Sequence, residues 1–173
     1  PDGAGYVELL GFNDTIGKWP RSSVISDGTF LYGMTNFGGT NGVGTIFKIK
    51  LDGTGYSKLL DFNGPNGRSP YGDLYYDGTF LYGMADNGGT NNNGVIFKIK
   101  PDGTGFVKLL DFAGSSNGGF PRGSLISDGT FLYGMTAGGG TNNLGIIFKI
   151  MPNGTGFSKL LDFSGAIDGS NPY

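Results

Sequence analysis

Short apolar runs of about seven residues, each closed by Gly, Asn, Asp or Pro, follow one another along the whole chain. The clearest series is Tyr56–Phe62 (YSKLLDF), Tyr71–Asp77 (YGDLYYD), Thr79–Ala85 (TFLYGMA) and Gly94–Lys100 (GVIFKIK). Aromatic and β-branched residues dominate these runs and no helical period intrudes, so the pattern predicts strands throughout. Within Thr29–Thr35, Phe30, Tyr32 and Met34 fall on one face, and Leu31, Gly33 and Thr35 on the other. Apolar groups on both faces, repeated in LLDF and IIF, mean that both faces are to be covered. A sandwich strand would keep one polar face.

The runs recur in order. Asp77-Gly78-Thr79-Phe80-Leu81-Tyr82-Gly83-Met84 returns as Asp27 to Met34 and as Asp128 to Met135. The units are Pro1–Lys50, Leu51–Lys100 and Pro101–Met151, with a partial fourth from Pro152 to Tyr173, together one repeat domain over 1–173. A period of about 50 residues points to solenoids, propellers or arrays. Asp27-Gly28, Asp77-Gly78 and Asp128-Gly129 have the spacing of tight hairpins, and the D-G-T-G of Asp52–Gly55 and Asp102–Gly105 forms a second one. Each unit is then a four-stranded antiparallel meander.

Small sheets covered on both sides by copies of themselves fit a β-propeller. The expected fold is all-β, a β-propeller built from four-stranded antiparallel blades of about 50 residues. Three full blades are expected, preceded by an extra outer strand at Tyr6–Phe12, with Ser170–Tyr173 opening a further inner strand. Gly33, Gly83 and Gly134 mark close approach of a neighbour. Three blades do not close a ring, so self-association, as a homo-oligomer or fibre, or further repeats of a longer chain, is expected.

Composition narrows the chemistry. Gly occurs 36 times without a three-residue period, which excludes collagen and fits many turns. The formal net charge is -2 with no block of like charge, so no nucleic-acid footprint is present. Cys and His are both absent, which removes disulfides, thiolate chemistry and the usual zinc ligands. No apolar run is long enough to span a membrane as a helix. Lacking an initiator Met and a signal segment, the sequence is expected to be a mature product or an excised piece.

The repeat P-x-G-x-L-x-x-D-G-x-x-L-Y-G-M-T, then G-G-T-N, G-x-I-F-K-I, D-G-T-G and L-L-x-F, resembles the GloVer-type tandem repeat of secreted bacterial proteins. Pro121–Thr136, Gly139–Asn142 and Gly145–Ile150 carry its first half, and Asp102–Phe112 the hairpin and last strand. The resemblance implies a propeller-like protein, secreted or at the cell surface, with no established catalytic residues.

In a meander the loops alternate between two ends. The tight hairpins, which barely change between units, share one end; the segments that change share the other. These are Asn36–Val43, Asp86–Asn93 and Ala137–Leu144, with the crossovers Asn13–Arg21, Asn63–Tyr71, Ala113–Arg122 and Ser164–Tyr173. That rim holds Trp19, the only Trp, together with Phe37, Tyr71 and Phe120, and Arg21, Arg68 and Arg122. Aromatic plates beside hydrogen-bonding groups suit a polar ligand or glycan, and these seven residues are the candidate binding set. No metal or cofactor is expected: G-G-T-N lacks the Asp of calcium-binding repeats, and Asp86 is the lone acid of those loops. Catalysis is not expected. It would have to arise at the acids that break the repeat, Asp14, Asp73, Asp86 and Asp168. Asp61, Asp111 and Asp162 are read as acceptors for backbone donors at strand ends.

Overall fold

The computed structural model describes residues 5–172. Sheet one contains β1 (Ile25–Ser26), β2 (Phe30–Thr35), β3 (Thr45–Lys50) and β4 (Ser57–Asp61). Sheet two contains β5 (Arg68–Pro70), β6 (Tyr75–Tyr76), β7 (Leu81–Asn87), β8 (Val95–Ile99) and β9 (Val107–Asp111). Sheet three contains β10 (Ile126–Ser127), β11 (Leu132–Thr136), β12 (Ile146–Ile150) and β13 (Ser158–Asp162). Each is an antiparallel meander in chain order, and the described residues contain no helix.

The turn chemistry explains the meander. Asp27 Oδ1 accepts the amides of Thr29 and Phe30, at 2.8 and 2.7 Å, and its Oδ2 accepts the Tyr32 hydroxyl at 2.7 Å. Gly28 takes φ 92°, which a side chain would resist. Asp77 and Asp128 repeat the arrangement with Tyr82 and Tyr133. At the opposite end, Thr40 N–H donates to Asp61 Oδ1 at 2.8 Å and Asn41 Nδ2 to the Phe62 carbonyl at 2.8 Å. The G-G-T-N loop is thereby latched to the end of the outer strand, and Asp111 and Asp162 act alike. These acids serve backbone donors, as their position in the repeat predicts.

The sheets stack face to face. Tyr32, Met34 and Ile46 of sheet one pack with Leu74, Leu81, Ala85, Val95, Phe97 and Ile99 of sheet two. Tyr82, Met84 and Ile96, on the other face of sheet two, pack with Leu125, Leu132, Ile146, Phe148 and Ile150 of sheet three. This is the two-sided burial that the alternation demands. Gly83 is needed here, because a Cβ would come within 2.6 Å of the Phe97 ring.

Two elements differ from the sequence reading. The inner strand is not the single run Tyr71–Asp77. It is split into β5 and β6, which both pair with β7: Pro70 faces Ala85, and Tyr75 faces Tyr82. Residues 71–74 therefore oppose only Gly83 and Met84 and bulge off the ladder. The split recurs between the Lys18↔Phe37 bridge and Ile25↔Tyr32, and between Gly119↔Gly138 and Ile126↔Tyr133. Trp19, Ser69 and Phe120 each precede a proline and take positive φ, at 56°, 53° and 57°, close to where the chain leaves the ladder.

The second difference is Tyr6–Phe12, which forms no ladder. Its Leu9 backs Gly53 as Leu59 backs Gly103, and Phe12 meets Phe47 edge-on at 5.3 Å as Phe62 meets Phe97 at 5.4 Å. The segment thus occupies an outer-strand slot, but among the described residues no inner strand lies beside it to accept its backbone hydrogen bonds. Ser170–Pro172 likewise forms no strand, although Asn171 N–H donates to Leu144 O at 2.8 Å; Tyr173 lies outside the described residues.

The acid network sets a pH dependence. Burial pulls Asp61, Asp77 and Asp111 upward, but their amide, hydroxyl and lysine partners outweigh it and hold each carboxyl below its ordinary value. The Phe131 amide, Tyr133 hydroxyl and Thr130 amide lower Asp128 to about 2. A carboxyl lowered in the folded state binds fewer protons there than in the unfolded chain. Its contribution is therefore full above the unfolded value and is lost as the pH falls. Urea midpoints should be flat from about pH 5 to 8, since no His titrates, and should fall steadily below about pH 4.

Candidate functional site

The end of the stack opposite the hairpins is built where the β2–β3 type loops meet the crossovers. Lys18 N–H donates to Phe37 O at 2.8 Å, and Phe37 N–H donates to Lys18 O at 3.1 Å. This pair sets the crossover beside the loop and brings Trp19 against Phe37, edge to face, with ring centroids 5.1 Å apart. Trp19 takes positive φ and is 58% exposed.

Arg21 continues the row into the next sheet. Its Nη1 donates to the Tyr71 hydroxyl at 2.8 Å. The guanidinium carbon lies 5.2 Å from the Tyr71 ring centre and 5.9 Å from that of Trp19. Phe37, Trp19, Arg21 and Tyr71 therefore form one continuous aromatic–guanidinium surface across the junction of sheets one and two. Four of the seven predicted residues meet here.

The other three do not join them. Arg68, on β5, borders a shallow cavity of about 380 Å³ with Gly64, Gly88, Thr90 and Lys108. Phe120 and Arg122 border another of about 260 Å³ with Gly138, Asn143 and Asn171. Arg122 Nε also donates to Asp86 Oδ1 at 3.1 Å, which ties sheet three to sheet two. Burial is the largest influence on Asp86 and raises its pKa, against the pull of Arg122 and Asn87. The predicted set is thus shared among three places on one rim.

The remaining repeat-breaking acids have structural partners. Asp14 pairs with Lys18. Asp73 Oδ1 accepts the Ser23 amide at 2.6 Å, and Asp168 Oδ1 accepts the Ser164 amide at 2.6 Å and its hydroxyl at 2.9 Å. Among the described residues no three acids or other ligating side chains gather as a metal site. Among the described residues no helix is long and apolar enough to cross a membrane.

The model of the Gloeobacter/Verrucomicrobia repeat matches residues 75–173, more than half of the chain. The chain belongs to that family. No curated protein matches it. Among solved structures it is similar to a chain of a nidogen/laminin complex, with 19% identity and a TM-score of 0.55 over 77% of this chain and 44% of that one. A putative TolB from Agrobacterium tumefaciens matches with 18% identity and a TM-score of 0.54, over 88% and 50% of the two chains. The tricorn protease matches with 16% identity and a TM-score of 0.53, over 82% and 13%. The chain spans half or less of each. These likenesses establish the fold: the three sheets are β-propeller blades.

In this Gloeobacter/Verrucomicrobia repeat chain, sequence reasoning missed an axial contact series. Ser23 N–H reaches Asp73, and Asp73 N–H donates to Ser124 Oγ at 2.8 Å, so the bulged inner-strand segments are tied from blade to blade. It also missed Asn36, whose Nδ2 donates to Pro70 O at 2.9 Å. Asn36, Asp86 and Ala137 occupy one repeat position at the start of the segments that change, and that difference was the available signal.

Proposed function

We propose that this repeat protein is a secreted or surface-displayed binding module that takes a polar ligand, above all a saccharide, on the variable rim, and that it is not an enzyme. The observation that carries the reading is the Phe37–Trp19–Arg21–Tyr71 surface. A half-exposed indole, supported from behind by a second ring, offers an apolar plate to the C–H face of a sugar. The adjacent guanidinium and phenol offer hydrogen bonds to its hydroxyls. The plate crosses a blade junction, so its geometry is held by the packing of two blades. The repeat-breaking acids, each committed to a structural partner, support binding over catalysis.

Glycan-array screening followed by titration tests it. Trp19→Ala and Tyr71→Ala should each weaken binding about ten-fold or more, equivalent to about 1.4 kcal/mol. The thermal midpoint of Trp19→Ala should stay close to that of the parent, because the indole is exposed. An array without any bound glycan would end the reading.

A second reading, a self-assembling structural subunit, is favoured by one observation. Tyr133, Met135 and Ile147 repeat the positions of Tyr82, Met84 and Ile96, which the next blade buries, yet they line an open apolar groove of about 260 Å³ beside Ile126, itself 67% exposed. The occupant under this reading is a second copy of the chain, docked through the contact that joins one blade to the next. Light scattering would then give a mass above the monomer, and Ile126→Lys would reduce it.

A further inference from the structure

Arg21 is the cation that lies against the exposed Trp19 ring; like Arg68, Lys50 and Lys100 it has no ion pair with a carboxylate among the described residues. Lys18, Lys58, Lys108 and Lys159 each pair with an Asp, and Lys48 and Lys98 donate to the Pro101 and Pro152 carbonyls of the next blade. Among the described residues no carboxylate lies within 4.0 Å of the Arg21 guanidinium, and the side chain is exposed. Its hydrogen bond to the neutral Tyr71 hydroxyl uses one donor and fixes the plane of the group. A guanidinium has five N–H donors and no acceptor, so donors beyond the one given to Tyr71 remain open to solvent. In a chain of net charge -2 this is a positive group with no carboxylate within 4.0 Å, set beside the exposed aromatic plate of Trp19.

We propose that the saccharide bound at this rim is acidic, a polymer containing uronic acid whose carboxylate is received by Arg21 while the ring lies on Trp19. The inference rests on the binding reading above and deepens it. A planar fork matches a carboxylate with two parallel hydrogen bonds, charge-assisted and directional. Tyr71, through its hydroxyl and its ring face, holds the guanidinium in place, so little side-chain freedom is lost on binding. Tyr71 positions the guanidinium in addition to offering its hydroxyl to the sugar, while Arg21 meets the carboxylate and Trp19 the ring.

The test uses oligosaccharides of galacturonate, glucuronate and mannuronate, each paired with its methyl ester, titrated at low and high salt. At least one acid should bind about ten-fold more tightly than its ester, and added salt should narrow the gap. Arg21→Gln should remove the preference for the acid, weakening binding of the acid far more than that of the ester. Trp19→Ala should weaken acid and ester alike. Sulfated oligosaccharides form a separate arm. If they bind and the uronates do not, the anionic site stands but its assignment to a carboxylate is overturned. Equal affinity for acid and ester, or a preference that survives Arg21→Gln, overturns the inference while the rim reading persists through the Trp19 effect. Failure of every saccharide overturns both.

Discussion

Replacing Phe97 by Ala is expected to cost about 3–5 kcal/mol and to lower the thermal midpoint by roughly 10 °C or more. Phe97 is fully buried on β8 of the middle blade. Its ring meets Phe62 edge-on at 5.4 Å and stacks on Phe106 at 5.8 Å, so it joins two outer strands to the blade centre. Gly83 lies against the same ring, where its missing Cβ makes the space. The cavity left by Ala is bounded on that side by backbone, which collapses poorly, and the cost should sit in the upper part of the range. Because each blade is supported by its neighbours, loss in the middle blade weakens both interfaces. Calorimetry would read the shift directly. A change under 1 kcal/mol would mean that the blades do not depend on this packing.

Gly72→Ala is expected to be nearly as damaging, for the opposite reason. A Cβ at Gly72 would collide with the Gly123 carbonyl of the third blade, with backbone on both sides of the contact. Neither side is the end of a flexible side chain, so the inner segments of the two blades must separate. Overpacking of this kind costs about 1–3 kcal/mol. The adjacent hydrogen bond from Asp73 N–H to Ser124 Oγ should be lost with it, adding about 1 kcal/mol. Hydrogen exchange should show the Asp73 amide losing protection while the Thr79 amide in the neighbouring turn keeps its own. Gly78→Ala gives the contrast: nothing lies within 4 Å of its Cβ, and only φ 94° opposes it, at about 1 kcal/mol.

The architecture was legible because its causes are local and repeated. Asp27, Gly28 and Tyr32 meet within one turn, and the alternation of Leu81 with Tyr82 shows both faces of the middle blade to be buried. Asp61 could be read as an acceptor because it ends a strand in every blade but leaves the first outer segment with Gly11. The split inner strand was not legible. Pro20, Pro70 and Pro121 mark a boundary, but nothing in the sequence says that the residue before each would turn left-handed, least of all Trp19 or Phe120. That turn, made in every blade, lies close to where the chain leaves the ladder.

The candidate site was legible as a rim and not as a site. Loop alternation puts all seven residues at one end, but which of them touch depends on the step from blade to blade. Arg21 and Tyr71 occupy equivalent positions in successive units, and the pairing of equivalent positions at an interface cannot be read from one unit. Arg122 reaches back to Asp86, a residue noted in the sequence as a solitary acid that breaks the repeat. Arg68 lies on the strand edge beside Lys108, away from the aromatic row.

Backbone and indole amide shifts, followed by NMR during titration with the tightest-binding oligosaccharide, test the location of binding most directly. The Trp19 indole and the amides of Arg21, Phe37 and Tyr71 should move together on one saturation curve, while the hairpins at Asp52–Gly55 and Asp102–Gly105 stay still. Movement confined to those hairpins, with the Trp19 signal unchanged at saturation, would contradict the account.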